Sequence, residues 1–173
     1  IRLSKDKMID GITTNPTLMR KSGVTNYMAF ANAAIKASLG KSLSLEVFAD
    51  DLGEMLNQAR ILKNLSDSVY VKIPITNSYG ISTQDVIKTL IKEKAKVNIT
   101  AVLSYEQIQS CIELFDENSE AYISIFAGRI ADTGLDPKPF FKYDFDQINA
   151  NGLKKVELLW ASTREVFNIY EAA

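Results

Sequence analysis

Strand-like and helix-like segments alternate along this chain of 173 residues, and the alternation restricts its possible folds more than any other feature. Six candidate strands begin roughly every 24 to 34 residues, the spacing of repeated βα units with parallel strands. They lie at 9–15, 43–49, 69–76, 97–103, 121–128 and 154–162. Two α/β architectures remain: a doubly wound open sheet, or a (β/α)₈ TIM barrel of which six consecutive units are present.

Apolar residues at helical spacing fill the intervals between the strands. They are Leu52, Met55, Leu56, Ala59 and Leu62, then Val86, Ile87, Leu90 and Ile91, then Ile108, Ile112 and Phe115.

Helix starts and ends are also visible in the sequence. Ser104 with Gln107 and Ser162 with Glu165 resemble capping boxes that open helices directly after strands. A further helix is predicted with Asp136 as N-cap, because Pro137 follows it at once and a glycine lies at the far end, at position 152.

Five of the strands carry polar side chains of one parity, which share one face because strand side chains alternate. The pairs are Thr13 and Asn15, Ser44 and Glu46, Tyr70 and Lys72, Asn98 and Thr100, Tyr122 and Ser124. Convergence on a barrel interior explains this pattern, and an open sheet does not. No Gly-rich phosphate loop follows the first strand, where an open nucleotide-binding sheet would carry one. We therefore predict the barrel, with residues 1–173 as one incomplete domain.

Lys72 lies in the middle of an apolar strand, VYVKIPI. A buried ammonium group costs several kcal/mol, so such a lysine usually loses its proton or finds a counter-ion. An amine among carboxylate, amide and hydroxyl groups is typical of a Schiff-base lysine that attacks a carbonyl carbon. The alternative is that Glu46 and Lys72 form only a buried ion pair.

Composition excludes several kinds of function. The chain has no histidine, which rules out histidine triads and histidine-ligated zinc. A net charge of −1 gives no electrostatic reason to bind nucleic acid or a membrane surface. Its one cysteine, Cys111, fits the reducing cytoplasm. We expect a cytoplasmic location.

Six motifs closely resemble the transaldolase family over nearly the whole chain. In order they are GITTNPTLM, SLEVFADD, VYVKIPIT, VNITAVLS, ISIFAGRIAD and ASTREVF. The resemblance implies a (β/α)₈ enzyme of the pentose phosphate pathway that uses a Schiff base, no metal and no organic cofactor. It implies transfer of a dihydroxyacetone unit from a ketose phosphate to an aldose phosphate. We expect a homo-oligomer.

The resemblance also assigns roles to individual residues. Lys72 resembles the Schiff-base lysine, Glu46 the carboxylate that acts through a bound water, and Thr100 the residue that holds this water. The residues that the resemblance implies for substrate binding, including the phosphate, are Asn15, Thr13, Asn98, Ser124, Phe126, Arg129, Ser162 and Arg164.

Fructose-6-phosphate aldolases belong to the same family and release the three-carbon unit. They carry Gln where this chain has Glu46 and Tyr where it has Phe126, so both positions match the transferases. The alternatives are this lyase activity and a sugar-phosphate-binding barrel without turnover. The chain departs from the family pattern at Ile125, where a proline is common.

The six units correspond to strands 2–7 of the family's barrel. We expect the natural chain to add a strand bearing an aspartate before Ile1 and a βα unit after Ala173. Six consecutive strands would otherwise leave two sheet edges exposed.

Overall fold

The computed structural model describes residues 3–172, with no account of the Leu3 side chain, so Ile1, Arg2 and Ala173 lie outside the described residues. Six β-strands and eight α-helices lie within residues 3–172 and alternate in the order expected of an α/β protein. The chain divides into two compact units between Lys72 and Ile73, inside the third strand. Among the described residues no helix is both long and apolar enough to cross a membrane.

The first unit opens with a single turn of 3-10 helix at Leu3–Lys5 and contains strands β1 and β2 and most of β3. β1 pairs with β2, and β2 with β3, both in parallel. Its elements are β1 (Gly11–Thr13), α1 (Pro16–Lys21), α2 (Tyr27–Ser38), β2 (Ser42–Glu46), α3 (Leu52–Lys63) and β3 (Val69–Pro74).

The second unit contains the remaining three strands, and parallel pairs join β4 to β5 and β5 to β6. Its elements are α4 (Gln84–Lys92), β4 (Val97–Val102), α5 (Tyr105–Ile112), β5 (Ala121–Ile125), α6 (Ala127–Asp132), α7 (Lys138–Ala150), β6 (Val156–Trp160) and α8 (Asn168–Glu171). All six predicted strands are thus confirmed, each shorter than its predicted range.

The apolar parity of the strands forms the core of each unit. Leu45 and Val71 are fully buried in the first unit, and Ile99 and Ile123 in the second, as the sequence pattern predicts. The predicted apolar faces of α3 and α4 are buried as well, through Met55, Ala59 and Leu62 and through Val86, Ile87 and Leu90. Burying one such side chain contributes about 1.5–3 kcal/mol, so these faces fix which side of each helix packs inward.

Side-chain caps start the helices where the sequence offers them. Asp51 accepts a hydrogen bond from the Glu54 amide at 2.9 Å and caps α3. Ser104 caps α5 as predicted, through the Gln107 amide at 3.3 Å. The reciprocal arm of this predicted box reaches one residue further back, because the Gln107 side chain accepts from the amide of Leu103.

Three details of the predicted helices need correction. The capping box at Ser162 and Glu165 is wrong, because Ser162 has a left-handed φ of 60° and no helix starts there. Phe115 lies beyond the end of α5 at Ile112. The N-cap of α7 is Pro137 rather than Asp136, whose carboxylate instead accepts from the amide of Lys138 at 3.0 Å.

Asp144 is a carboxylic acid in the core of the second unit. It is fully buried on α7, between Phe140 and Ile148 at helical spacing, and burial raises its pKa to about 7. Among the described residues neither carboxyl oxygen has a hydrogen-bond partner. Cys111, on α5, is also buried. Its burial raises the pKa of its thiol, and the nearby charge of Asp144 raises it further. The carboxyl group is therefore protonated below neutral pH while the protein is folded.

The buried Asp144 contributes a loss of stability as the pH rises from about 4 to about 7. In this window the folded state keeps a proton that the unfolded state has released, so rising pH favours unfolding. Each unit of pKa difference is worth about 1.4 kcal/mol, which makes the total a few kcal/mol. Urea unfolding as a function of pH measures this slope. Asp144→Asn should remove this contribution to the slope, whereas the exposed Asp146→Asn should keep it; an unchanged slope in Asp144→Asn contradicts the assignment.

Candidate active site

Lys72 lies in β3 with only 8% of its surface exposed, and its amine contacts two oxygens of the first unit. Nζ lies 3.1 Å from Oε2 of Glu46 and donates to the main-chain oxygen of Thr14 at 3.2 Å. The contact with Glu46 follows from the register of β2 and β3, which pairs these two residues directly. The sequence prediction that the two groups share a face is confirmed. Their direct contact also fits the ion-pair alternative.

The main chain around Glu46 is fixed from two sides. The Tyr27 hydroxyl donates to the main-chain oxygen of Glu46 at 2.8 Å, and the amide of Val47 donates to the oxygen of Lys72 at 3.1 Å. The Tyr27 ring packs edge-on against Phe48, with ring centres 4.6 Å apart. Strand β2 is thus anchored at the residue that carries the carboxylate.

A glutamine on the following helix holds the loop that leaves the strand. Oε1 of Gln58 accepts from the amides of Phe48 and Ala49 at 2.8 and 3.0 Å. The second unit repeats this arrangement after β4, where Oε1 of Gln107 accepts from the amide of Leu103 at 2.7 Å. Both loops follow the end of a strand that carries predicted site residues.

Burial dominates the electrostatics of the carboxylate. It raises the pKa of Glu46, and the positive charge and hydrogen bond of Lys72 act in the opposite direction. Burial also raises the pKa of Tyr27, and the charge of Glu46 adds to this effect. The carboxyl group of Glu46 therefore takes up a proton more readily than an exposed glutamate.

The predicted residues of the first motif lie at two different kinds of position. Thr13 ends β1 and is exposed, and the group next to the Lys72 amine is the carbonyl of Thr14. Asn15 lies beyond the strand, where its side-chain oxygen accepts from the amide of Leu18 at 2.8 Å and caps α1.

In the second unit, the structure brings Asn98 and Ser124 together. The Ser124 hydroxyl donates to Oδ1 of Asn98 at 2.7 Å, and both side chains are buried. Thr100 is also buried, and its hydroxyl has no hydrogen-bond partner among the described residues. Ala101, next in the chain, has a left-handed φ of 61° where the β4–β5 register shifts. An irregular strand step beside a buried polar group is frequent at functional sites.

The two predicted phosphate arginines differ in their surroundings. Arg164 donates to both carboxylate oxygens of Asp132, from Nε at 3.2 Å and from Nη2 at 2.5 Å, and to Ser162 through Nη1. Arg129 is exposed on α6 near Asp132. The hydrogen bond from Arg164 lowers the pKa of the Asp132 carboxyl group, and the positive charge of Arg129 lowers it further. Phe126 is half-buried at the N-cap of α6.

Sequence reasoning missed four groups that position these side chains. They are the Thr14 carbonyl, Tyr27, Gln58 and Asp132. The first three act on or through main-chain atoms, which leave no pattern in the sequence. Asp132 had a signal, since it lies one helical turn beyond Gly128 in the motif that contains Arg129. Residues 3–172 contain no group of three or more His, Cys, Asp or Glu side chains that could hold a metal ion.

These features define an α/β protein with a lysine amine and a carboxylate in contact inside a parallel strand pair. A family model described as Transaldolase/Fructose-6-phosphate aldolase matches residues 1–173. A "Probable transaldolase" of Methanococcus maripaludis is 32% identical over 166 residues, 96% of this chain and 72% of the relative. One of Rhizorhabdus wittichii is 34% identical over 166 residues, 96% and 71%. A "Probable transaldolase 2" of Listeria monocytogenes is 31% identical over 172 residues, 99% and 74%.

The chain therefore belongs to the transaldolase/fructose-6-phosphate aldolase family. The match over the whole chain and the names of its relatives support an enzyme of the transaldolase type.

The second unit leaves no room for a side chain at Gly128. A Cβ there would lie 1.9 Å from the main-chain oxygen of Ser162 and 3.1 Å from Cγ and Nη1 of Arg164. Only glycine therefore allows the loop with Ser162 and Arg164 to approach α6 this closely.

Gly128→Ala should destabilise the protein by about 1–3 kcal/mol, because the loop has to move away from the added methyl group. Gly53→Ala is the matched control, another glycine in a helix, whose Cβ would meet only a side-chain oxygen of Asp51 at 3.2 Å. That control should be neutral or stabilising by up to about 1 kcal/mol. Urea unfolding of both variants checks this, and equal stabilities of the two would contradict the close approach.

Proposed function

We propose that this protein is a Schiff-base transaldolase that transfers a dihydroxyacetone unit from a ketose phosphate to an aldose phosphate. The observation that carries the proposal is the buried amine of Lys72, placed beside the carboxylate of Glu46 in a chain of this family. Relatives named as probable transaldolases support the same reaction.

In the proposed mechanism, Glu46 first takes the proton of the Lys72 ammonium group, across the 3.1 Å that separates them. The raised pKa of the buried carboxyl group favours this transfer. The neutral amine then adds to the C2 ketone of the substrate and forms a carbinolamine. Glu46 then returns the proton, through the bound water that the resemblance assigns to it, as the C2 hydroxyl leaves as water, which yields the protonated imine.

The later steps use the imine as an electron sink. The C4 hydroxyl gives its proton to water as the C3–C4 bond breaks, and the bonding electrons move to the imine nitrogen, which releases an aldose phosphate and leaves an enamine on Lys72. The enamine then adds to the aldehyde of a second aldose phosphate, whose oxygen takes a proton from water, and water hydrolyses the product imine. The family resemblance assigns to Thr100 the water through which Glu46 acts. The buried hydroxyl of Thr100 has no partner among residues 3–172 and can hold a water molecule.

The remaining roles are also part of the proposal and follow the motifs. Asn15, Thr13, Asn98, Phe126 and Ser162 contact the substrate, and Ser124, Arg129 and Arg164 bind its phosphate group. Guanidinium groups suit this task because their planar N–H fork matches phosphate oxygens.

Borohydride trapping of the imine tests the proposed function. With fructose 6-phosphate and borohydride, a reduced sugar fragment should appear on the peptide that contains Lys72. Lys72→Met should lose the adduct, and Lys155→Met, which removes a lysine exposed on the surface, should keep it. An adduct on another lysine, or none on the intact protein, overturns the proposal and leaves a sugar-phosphate-binding protein. Release of free dihydroxyacetone without an aldose acceptor would instead identify the lyase.

The role of Glu46 separates catalysis from simple ion pairing. Glu46→Gln should lower turnover by about 100-fold or more, since proton transfer by a positioned side chain is worth at least that factor. Its free energy of unfolding should change by less than about 2 kcal/mol. Glu120→Gln is the matched control, because Glu120 also pairs with lysines, at 2.9 Å from Lys96 and 3.1 Å from Lys155, and lies at the surface.

Steady-state kinetics and urea unfolding on both variants decide the matter. Glu120→Gln should keep full turnover. A loss of about 3–5 kcal/mol in Glu46→Gln, with turnover of the folded fraction intact, would show that the pair serves stability alone.

A further inference from the structure

Nearly all N–H donors of the Arg164 guanidinium group already bind oxygens of the protein. Nε and Nη2 donate to the two carboxylate oxygens of Asp132, and Nη1 donates to the main-chain oxygen and hydroxyl of Ser162 at 2.8 and 2.9 Å. An arginine has five N–H donors, so these four bonds leave one. The two-pronged face that suits a phosphate group is the face that Asp132 fills.

The arrangement around Arg164 is built into the fold of the second unit. Gly128 lets the loop that carries Ser162 and Arg164 lie against α6, because any Cβ there would clash. The amide of Arg164 is held by Oδ1 of Asn168 at 2.9 Å. Asp132 lies one helical turn after Gly128 on the same face of α6, which places its carboxylate against the seated guanidinium group.

We propose that Asp132 is the resident counter-ion of this anion site: its carboxylate occupies the fork of Arg164, and the substrate's phosphate group binds by displacing it. The proposal rests on the proposed function, in which Arg129 and Arg164 take the phosphate. It adds a specificity-determining residue, because an anion binds here only if it outcompetes a carboxylate that is already seated.

The exposure of the pair makes the exchange feasible. The side chains of Arg164 and Asp132 are 43% and 54% exposed, and exposed ion pairs are held only weakly. A phosphate monoester carries a charge of about −1.5 to −2 and three acceptor oxygens, which a single carboxylate does not match. The resident carboxylate therefore yields to phosphate esters and resists singly charged anions such as chloride or acetate.

The charge balance gives the direction of the mutational effect. With Asp132 in place, the two arginines and one carboxylate carry a net charge of +1. Asp132→Asn raises this charge to +2 and frees the fork of Arg164. Phosphate binding should therefore become tighter in the variant, by about threefold to tenfold at low salt, and less so at high salt.

Calorimetric titration with inorganic phosphate tests the proposal on the whole protein. Asp132→Asn should bind phosphate more tightly than the wild type and also bind acetate measurably. Asp146→Asn, an exposed aspartate on α7, changes the net charge equally and should bind as the wild type does. Asp132→Glu keeps the counter-ion and should also remain close to the wild type. Thermal unfolding confirms that each variant is folded.

Two further measurements separate this proposal from the proposed function. Arg164→Ala should lose phosphate binding, and trapping of dihydroxyacetone on Lys72 of the wild type reports the proposed function separately. If Arg164→Ala binds phosphate as well as the wild type, the phosphate site itself is wrong. If Arg164→Ala loses binding and Asp132→Asn binds equally or more weakly, Asp132 only orients Arg164. The counter-ion proposal then fails, and the proposed transaldolase stands.

Discussion

The buried ammonium group of Lys72 sets the requirement around which the first unit is arranged. A charge in a strand with 8% exposure needs oxygen partners, and the unit supplies them from two neighbouring segments. The parallel register brings the Glu46 carboxylate to 3.1 Å, and the turn after β1 presents the Thr14 carbonyl at 3.2 Å. The hydroxyl of Tyr27 then fixes the main chain of Glu46. The strand register and the segment after β1 therefore both supply oxygen partners to the Lys72 amine.

The same contact serves the resting protein and the proposed chemistry in opposite ways. At rest, the contact with Glu46 compensates the buried charge of Lys72. Such a buried ion pair adds little to the stability of the fold, because the cost of desolvating both groups offsets much of their attraction. During reaction, the short separation lets the proton move between amine and carboxyl group without a large rearrangement. Burial, which makes two opposite charges costly to hold inside the protein, also raises the pKa of Glu46 and so favours its protonated form.

The six strands were predictable from the sequence, because strand-like and helix-like segments alternate at the spacing of repeated βα units. Lys72 and Glu46 were predictable as neighbours because side chains alternate along a strand, so residues of one parity share a face. Tyr27 and Gln58 were not, because they bind main-chain atoms of residues distant in the chain. Ser162 misled the prediction, since its hydroxyl accepts from Arg164 instead of a helix amide. The burial of Asp144 could have been predicted, because it lies four residues from both Phe140 and Ile148 on the buried face of α7.

The helix cap at Asn15 determines what its side chain can still offer a ligand. Its carboxamide oxygen accepts from the amide of Leu18 with one of its two lone pairs, so the cap makes no use of the two N–H donors. In the proposed function, these donors suit a sugar hydroxyl or carbonyl oxygen. An aspartate would cap the helix equally well but would offer no donor. The cap alone therefore does not explain the asparagine.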